Sequence, residues 1–341
     1  SNDNKVFLTK VYEKKEDENA KTKLKEEEED DDDDDEELKG IYVSFACHNV
    51  VNVTIPSKVT KISSLSFTGC NGIKSIKFEG NSNLKIIDYK AFNCSSISKI
   101  KIPSSVVQIR NEAFADCTKL KSVEFDEDSK LSFIESSAFI NTSLHEIVIP
   151  ISTTHIGKNA FAHCKQLESV EFLPLSCLTV ISDYAFTDTS IKSINVPSDV
   201  VQIGEGAFLN CTALKTVTFK DSRLETIGKC AFKGTKIEEI EIPSTVTKIM
   251  EGCFENCINF KYIEIAENSV LQTIGKNAFK ETKIIEIMIP SEVVEIGEYA
   301  FSDCKNLKSV QFEENSKLKY IRKEAFCGTA LTEIVIQKNV I

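Results

Sequence analysis

The chain has 341 residues, 41% of them hydrophobic, with 12 cysteines, no tryptophan and a formal charge of −11 at pH 7. That charge is concentrated: residues 1–39 hold 8 Lys against 17 acidic residues, and the remainder holds 33 basic against 35 acidic. A nearly neutral body argues against non-specific nucleic-acid binding, and no apolar run approaches the ~18 residues of a membrane span, so no transmembrane segment is expected.

The chain opens with an unusual segment. Residues 26–37, EEEEDDDDDDEE, are acidic throughout and cannot fold by burial. They lie between KVFLTKVY (5–12) and GIYVSFAC (40–47), both of strand-like composition. The expectation over 1–40 is a cap strand with the acidic run as its loop, closing the end of an array that fills 41–341. Twelve residues span up to ~40 Å extended, far enough for the run to reach lysines of the first turns.

From residue 41 onward the chain repeats. A Phe, usually after Ala, recurs from Phe45 to Phe326 at alternating steps of mostly 22 and 25 residues, a double repeat of 47. Proline at 56, 103, 150, 197, 243 and 290 keeps the same period, as does serine at 82, 129, 176, 222, 269 and 316. Each half-repeat holds one strand-like segment, LKSVEF (120–125) or ISKIKIP (97–103), with apolar and polar residues alternating. The remainder, as in VVQIRNEAFADC (106–117), is too short for a long helix and predicts a short helix or tight coil. A unit this small cannot bury its own apolar face, so the units must stack. The fold expected is an α/β solenoid of about 13 turns, with one continuous parallel β-sheet and short helical or irregular segments opposite it. Gly follows the inward Ile at 157, 204, 228, 275 and 297, but Asp88, Arg110 and Met250 take that place elsewhere, so positive φ is not required there.

Six cysteines, Cys70, Cys117, Cys164, Cys211, Cys257 and Cys304, each follow the spine Phe by three residues, and the alternate half-repeats place Ser95, Thr142, Thr189, Thr235, Thr282 and Thr329 there. Neighbours in the cysteine column are two turns apart, ~9.6 Å, beyond the ~7 Å reach of a disulfide. No CxxC motif occurs, and a linear column does not converge on a tetrahedral metal. The column therefore predicts packing. Cys47–Cys70 and Cys94–Cys117, one turn apart, are the pairs that could come close enough for a disulfide if the compartment is oxidising.

Chemistry is otherwise sparse. His145, His155 and His163 fall in consecutive turns near Cys164, but equivalent positions elsewhere hold interchangeable polar residues such as Gln108, Glu295, Asn210 and Asp303. Glu239 and Glu241 share a strand face without a cleft to make them an acid–base pair. No catalytic, metal or cofactor site is assigned.

The pattern LxxVxF…LxxIGxxAFxxCxxLxxIxIP resembles the leucine-rich repeats of the BspA-like (Treponema pallidum type) family over roughly 41–341. The resemblance fails before residue 40 and at Gln337, where Pro is expected. It implies that the sheet lies on a concave face and that the protein attaches to host or matrix molecules at a cell surface. The candidate ligand face is the outward strand positions: Lys77, Lys99, Lys101, Glu124, Glu146, Glu171, Asn195, Glu239, Glu241, Tyr262, Glu264 and Glu286. Residues 56–103 carry 8 Lys against 2 acidic residues, and residues 235–300 carry 6 Lys against 12 Glu, so the array is an electrostatic dipole. The reading is non-catalytic recognition of a protein or glycan. The alternative is an intracellular protein–protein scaffold, which twelve cysteines without an evident disulfide framework would suit.

Overall fold

The computed structural model describes residues 41–43, 50–336, 338 and 340. Within them each turn carries two kinds of strand. The four-residue kind, such as Lys99–Ile102 and Ser122–Phe125, shows the alternation its sequence predicts. Ile100, Ile102 and Val123 are buried, while Lys99, Lys101 and Glu124 are exposed. The second kind is mostly two residues long, such as Gln108–Ile109 and Phe133–Ile134, and buries its Ile.

The continuous sheet is built by the second kind, which corrects the sequence expectation. Thirteen such strands, from Ile41–Val43 to Tyr320–Ile321, pair in parallel in chain order. Ile87, Ile109, Ile134 and Ile156 stand in register along it. The four-residue strands pair only in twos, as Lys99–Ile102 does with Ser122–Phe125. Between one couple and the next, single bonds such as Lys192 N–H to Glu168 O at 3.2 Å tie the chain just ahead of the strands. Two residues are too few to show a period-2 pattern, so the segment that builds the main ladder is the one the sequence hides.

The helical segments expected opposite the sheet are absent: no helix occurs among the described residues. Backbone donors there point to the next turn instead of back along the chain. Phe92 N–H reaches Ala113 O at 2.7 Å, Phe114 N–H reaches Ala138 O at 2.8 Å, and Asp116 N–H reaches Ile140 O at 2.9 Å. Intervening donors close three-residue turns, as Ala113 N–H does on Arg110 O at 3.1 Å. Left-handed residues recur every fourth position, Glu112 (φ 56°) and Asp116 (φ 58°), and that conformation interrupts any helix.

The core is a column. Twelve Phe rings from Phe67 to Phe326 stack with centroids 5.0–5.5 Å apart and successive planes within 14°. They count about 12 turns, where 13 were expected; Phe45, the remaining spine ring, lies outside the described residues. The proposed cap over 1–40, with its acidic run, also lies outside them. The repeated Ser accepts a backbone N–H two residues on, as Ser129 Oγ does from Leu131 at 3.3 Å, which fixes the loop after every second outer strand. Gly228 needs no positive φ; a Cβ there would lie 2.5 Å from Gly204 C and O, so close approach of the neighbouring turn selects glycine.

One buried charge ties three turns together. The Asp88 side chain, 8% exposed, accepts from Lys61 Nζ at 2.7 Å and Arg110 Nη1 at 3.4 Å, and from Tyr89 N–H at 2.8 Å. Burial acts to raise its pKa, but the Lys61 hydrogen bond, the Tyr89 N–H and the two cations together outweigh it and hold the carboxyl below its usual 3.8. A depressed carboxyl stabilises the fold above 3.8, and that contribution is lost as pH falls through its folded value. Asp88→Asn is therefore expected to lower stability by about 1–3 kcal/mol at pH 7. In urea melts the two proteins should converge at acid pH. A gap that persists unchanged into acid would assign the loss to packing.

Candidate ligand-binding face

All twelve sequence-predicted face residues are exposed on the four-residue strands. They form two outward columns. The first position of each strand includes Lys99, Glu146, Glu239, Tyr262 and Glu286; the third includes Lys77, Lys101, Glu124, Glu171, Asn195, Glu241 and Glu264. Pairing brings some together: Lys101 lies beside Glu124, Glu239 beside Tyr262, and Glu241 beside Glu264. Others stay apart, since Lys99 and Glu286 occupy distant turns.

Of the three basic face residues, Lys101 alone ion-pairs with a described residue. Lys101 Nζ meets Asp126 at 2.7 Å, an exposed pair that raises the lysine's pKa through that hydrogen bond. At the other end Glu241 and Glu264 are like charges in register, and neither they nor Glu239 and Glu286 ion-pair with another described residue. Tyr262, 56% exposed, and Met288, 46% exposed, add apolar surface among these carboxylates. In the middle Thr218 Oγ1 donates to Asn195 Oδ1 at 2.6 Å.

One feature of this region escaped the sequence reading. The loop after each alternate outer strand is mostly polar, reading EGNSNL (79–84), DEDSKL (126–131), KDSRL (220–224), AENSVL (266–271) and EENSKL (313–318), but after Ser169–Phe172 it is LPLSCL (173–178). Leu175 is 91% exposed with φ 64°, where other turns place Asn81, Asp221, Asn268 and Asn315 in the same conformation. Asn and Asp tolerate that backbone; a bulky Leu is strained in it. Column comparison of the loops is the signal that exposes it.

The cysteine column packs inward. Cys117, Cys164, Cys211, Cys257 and Cys304 each donate to a Phe carbonyl of the preceding turn at 3.0–3.1 Å. Each shares a second hydrogen bond with the Ser or Thr hydroxyl of the same column, at 3.0–3.4 Å. Cys94 is exposed and Cys117 buried, and both are free thiols, so that candidate pair is not bridged in this structure; Cys47 lies outside the described residues. His155 stacks on Phe133 and His163 Nδ1 meets Asp188 at 2.9 Å, each in its own surface contact. No group of three or more His, Cys, Asp or Glu that could hold a metal occurs among the described residues. No helix there is long and apolar enough to cross a membrane.

Twelve stacked turns, a parallel ladder and an inward Phe column define a repeat-built β-solenoid that offers an extended surface. The BspA-type leucine-rich-repeat model matches residues 42–168, 179–270 and 225–341, and the chain belongs to that family. Among solved structures it is similar to a leucine-rich repeat protein from Bacteroides ovatus, at 24% identity and TM-score 0.66, covering 84% of this chain and 79% of that one. The pneumococcal vaccine antigen PcpA matches at 23% identity and TM-score 0.49, covering 85% and 72% of the two chains. The Treponema pallidum leucine-rich repeat protein matches at 21% identity and TM-score 0.34, covering 79% and 83%. No match is found among curated proteins.

Proposed function

We propose that this chain is a non-catalytic recognition protein whose outer strand face binds a protein or glycan ligand, in keeping with attachment at a cell surface. The carrying observation is the contrast between the faces of the same strands. Inward positions repeat Ile or Val in nearly every turn, whereas outward positions run from Lys through Ser, Asn and Thr to Glu and Tyr. Stacking dictates the first set and leaves the second free to serve a ligand. Charge that differs from end to end suits an extended partner with its own charge pattern.

The basic end provides the test. Sulfated glycan is a defined anionic probe, so the full chain is expected to be retained on heparin at low salt and released as salt rises. Lys77→Ser/Lys99→Ser/Lys101→Ser together should remove most of that retention while leaving the melting temperature unchanged. Undiminished retention of the triple variant would place anion binding off this face.

A further inference from the structure

The outward columns carry opposite charge at equal distances from one central strand. Ser169–Phe172 has Lys99–Ile102 three strands before it and Glu239–Ile242 three strands after. Ser75–Phe78, which bears Lys77, is four strands before, and Tyr262–Ile265, which bears Glu264, is four after. The apolar loop with exposed Leu175 follows this same central strand.

We propose that two copies of this chain pair face to face and antiparallel, about a two-fold axis lying along strand Ser169–Phe172. Such an axis preserves strand direction and reverses the order of turns, so each outward column meets its own copy inverted. Lys99 then faces Glu239 of the second copy, Lys101 faces its Glu241, and Lys77 faces its Glu264, each contact occurring twice. Glu124 meets Thr218, Glu146 meets Ser193, and Val148, 42% exposed, meets Asn195. The register is specific. Moving the axis half a strand spacing toward the C-terminal end sets Glu124 against Glu241, and moving it the other way leaves Lys99 and Lys101 opposite Thr216 and Thr218.

The apolar loop supplies an independent reason for the same axis. LPLSCL lies at the C-terminal edge of the axial strand, where it would meet the identical loop of the second copy. A strained, almost fully exposed Leu175 has no apolar cover among the described residues and gains one on the axis. Glu171 is the one charged residue that would face its own copy, and it limits the strength of the pair. This inference does not rest on the ligand reading, since it concerns the chain alone.

Sedimentation velocity on the full chain without ligand tests it. Wild-type protein is expected to dimerise at low salt and dissociate as salt rises. Lys99→Glu/Lys101→Glu and Glu239→Lys/Glu241→Lys should each weaken the dimer by about tenfold or more. Mixing the two variants should restore it, because every junction in the mixed pair is again opposite in charge. Glu171→Gln should tighten the wild-type dimer. Unchanged melting temperatures would show that all variants are folded. A wild-type monomer at low salt, charge reversals without effect, or a mixture that stays monomeric would each overturn the pairing. So would a chain that dimerises only after 26–37 is replaced by Gly and Ser; that result would assign the lysines to the acidic run. Heparin and the second copy compete for Lys77, Lys99 and Lys101, so added heparin should dissociate the dimer; a chain that binds heparin but sediments as a monomer without it would overturn the pairing and leave the ligand reading standing.

Discussion

Phe208→Ala should lower stability by about 3–5 kcal/mol, the loss of a buried ring together with the cavity it leaves. Phe208 has no exposed surface and stacks on Phe186 at 5.4 Å and on Phe232 at 5.3 Å. Neighbours on both sides are held by the same backbone bonds, so the cavity cannot collapse without breaking the ladder. Phe326→Ala should lose clearly less, because Phe326 is only partly buried and stacks on Phe301 at 5.3 Å on one side. Urea melts of the two variants make the comparison. Equal losses would contradict a stack whose terms come from nearest neighbours.

The second large effect is expected in the thiol column. Cys211 is fully buried, donates to Phe186 O at 3.1 Å and shares a 3.2 Å contact with Thr189 Oγ1. Cys211→Leu adds bulk in a closed layer and deletes the donor, so about 2–4 kcal/mol should be lost to overpacking and an unmet carbonyl. Cys211→Ser keeps a small donor in the place where alternate turns use Ser or Thr, and should lose about 1 kcal/mol or less. Thermal melts rank them; a milder Leu would refute the hydrogen-bonded column. Burial pushes the Cys211 thiol from 9.0 up to about 12, opposed by the Thr189 hydrogen bonds. A raised acid of this kind stabilises the fold fully below pH 9.0, and the contribution is lost as pH rises through about 12. Cys211→Ser should therefore soften the alkaline decline in stability.

The face was legible residue by residue. Lys99, Glu241 and Tyr262 are outward because their neighbours Ile100, Ile240 and Ile263 follow strict alternation, which four residues suffice to display. The Leu175 loop was legible only by comparing the same loop across turns, since an apolar LPLSCL read alone resembles buried chain. The opposed charge of the two ends could be counted directly. Its symmetry about Ser169–Phe172 required knowing that the strands stack singly and in order.

By itself the sequence determined that this chain is a solenoid, because a 47-residue period with one Phe and one outer strand per half leaves no smaller unit able to bury its apolar side. It likewise determined which residues point inward, including the cysteines of the repeated column, since a register kept through a dozen half-repeats admits one assignment. Tertiary structure decided where the continuous sheet runs and that no helix faces it among the described residues. Both depend on backbone N–H groups choosing the neighbouring turn over their own, as Phe114 does with Ala138. That choice becomes available only once turns are stacked within hydrogen-bond reach, and no local pattern of side chains records it.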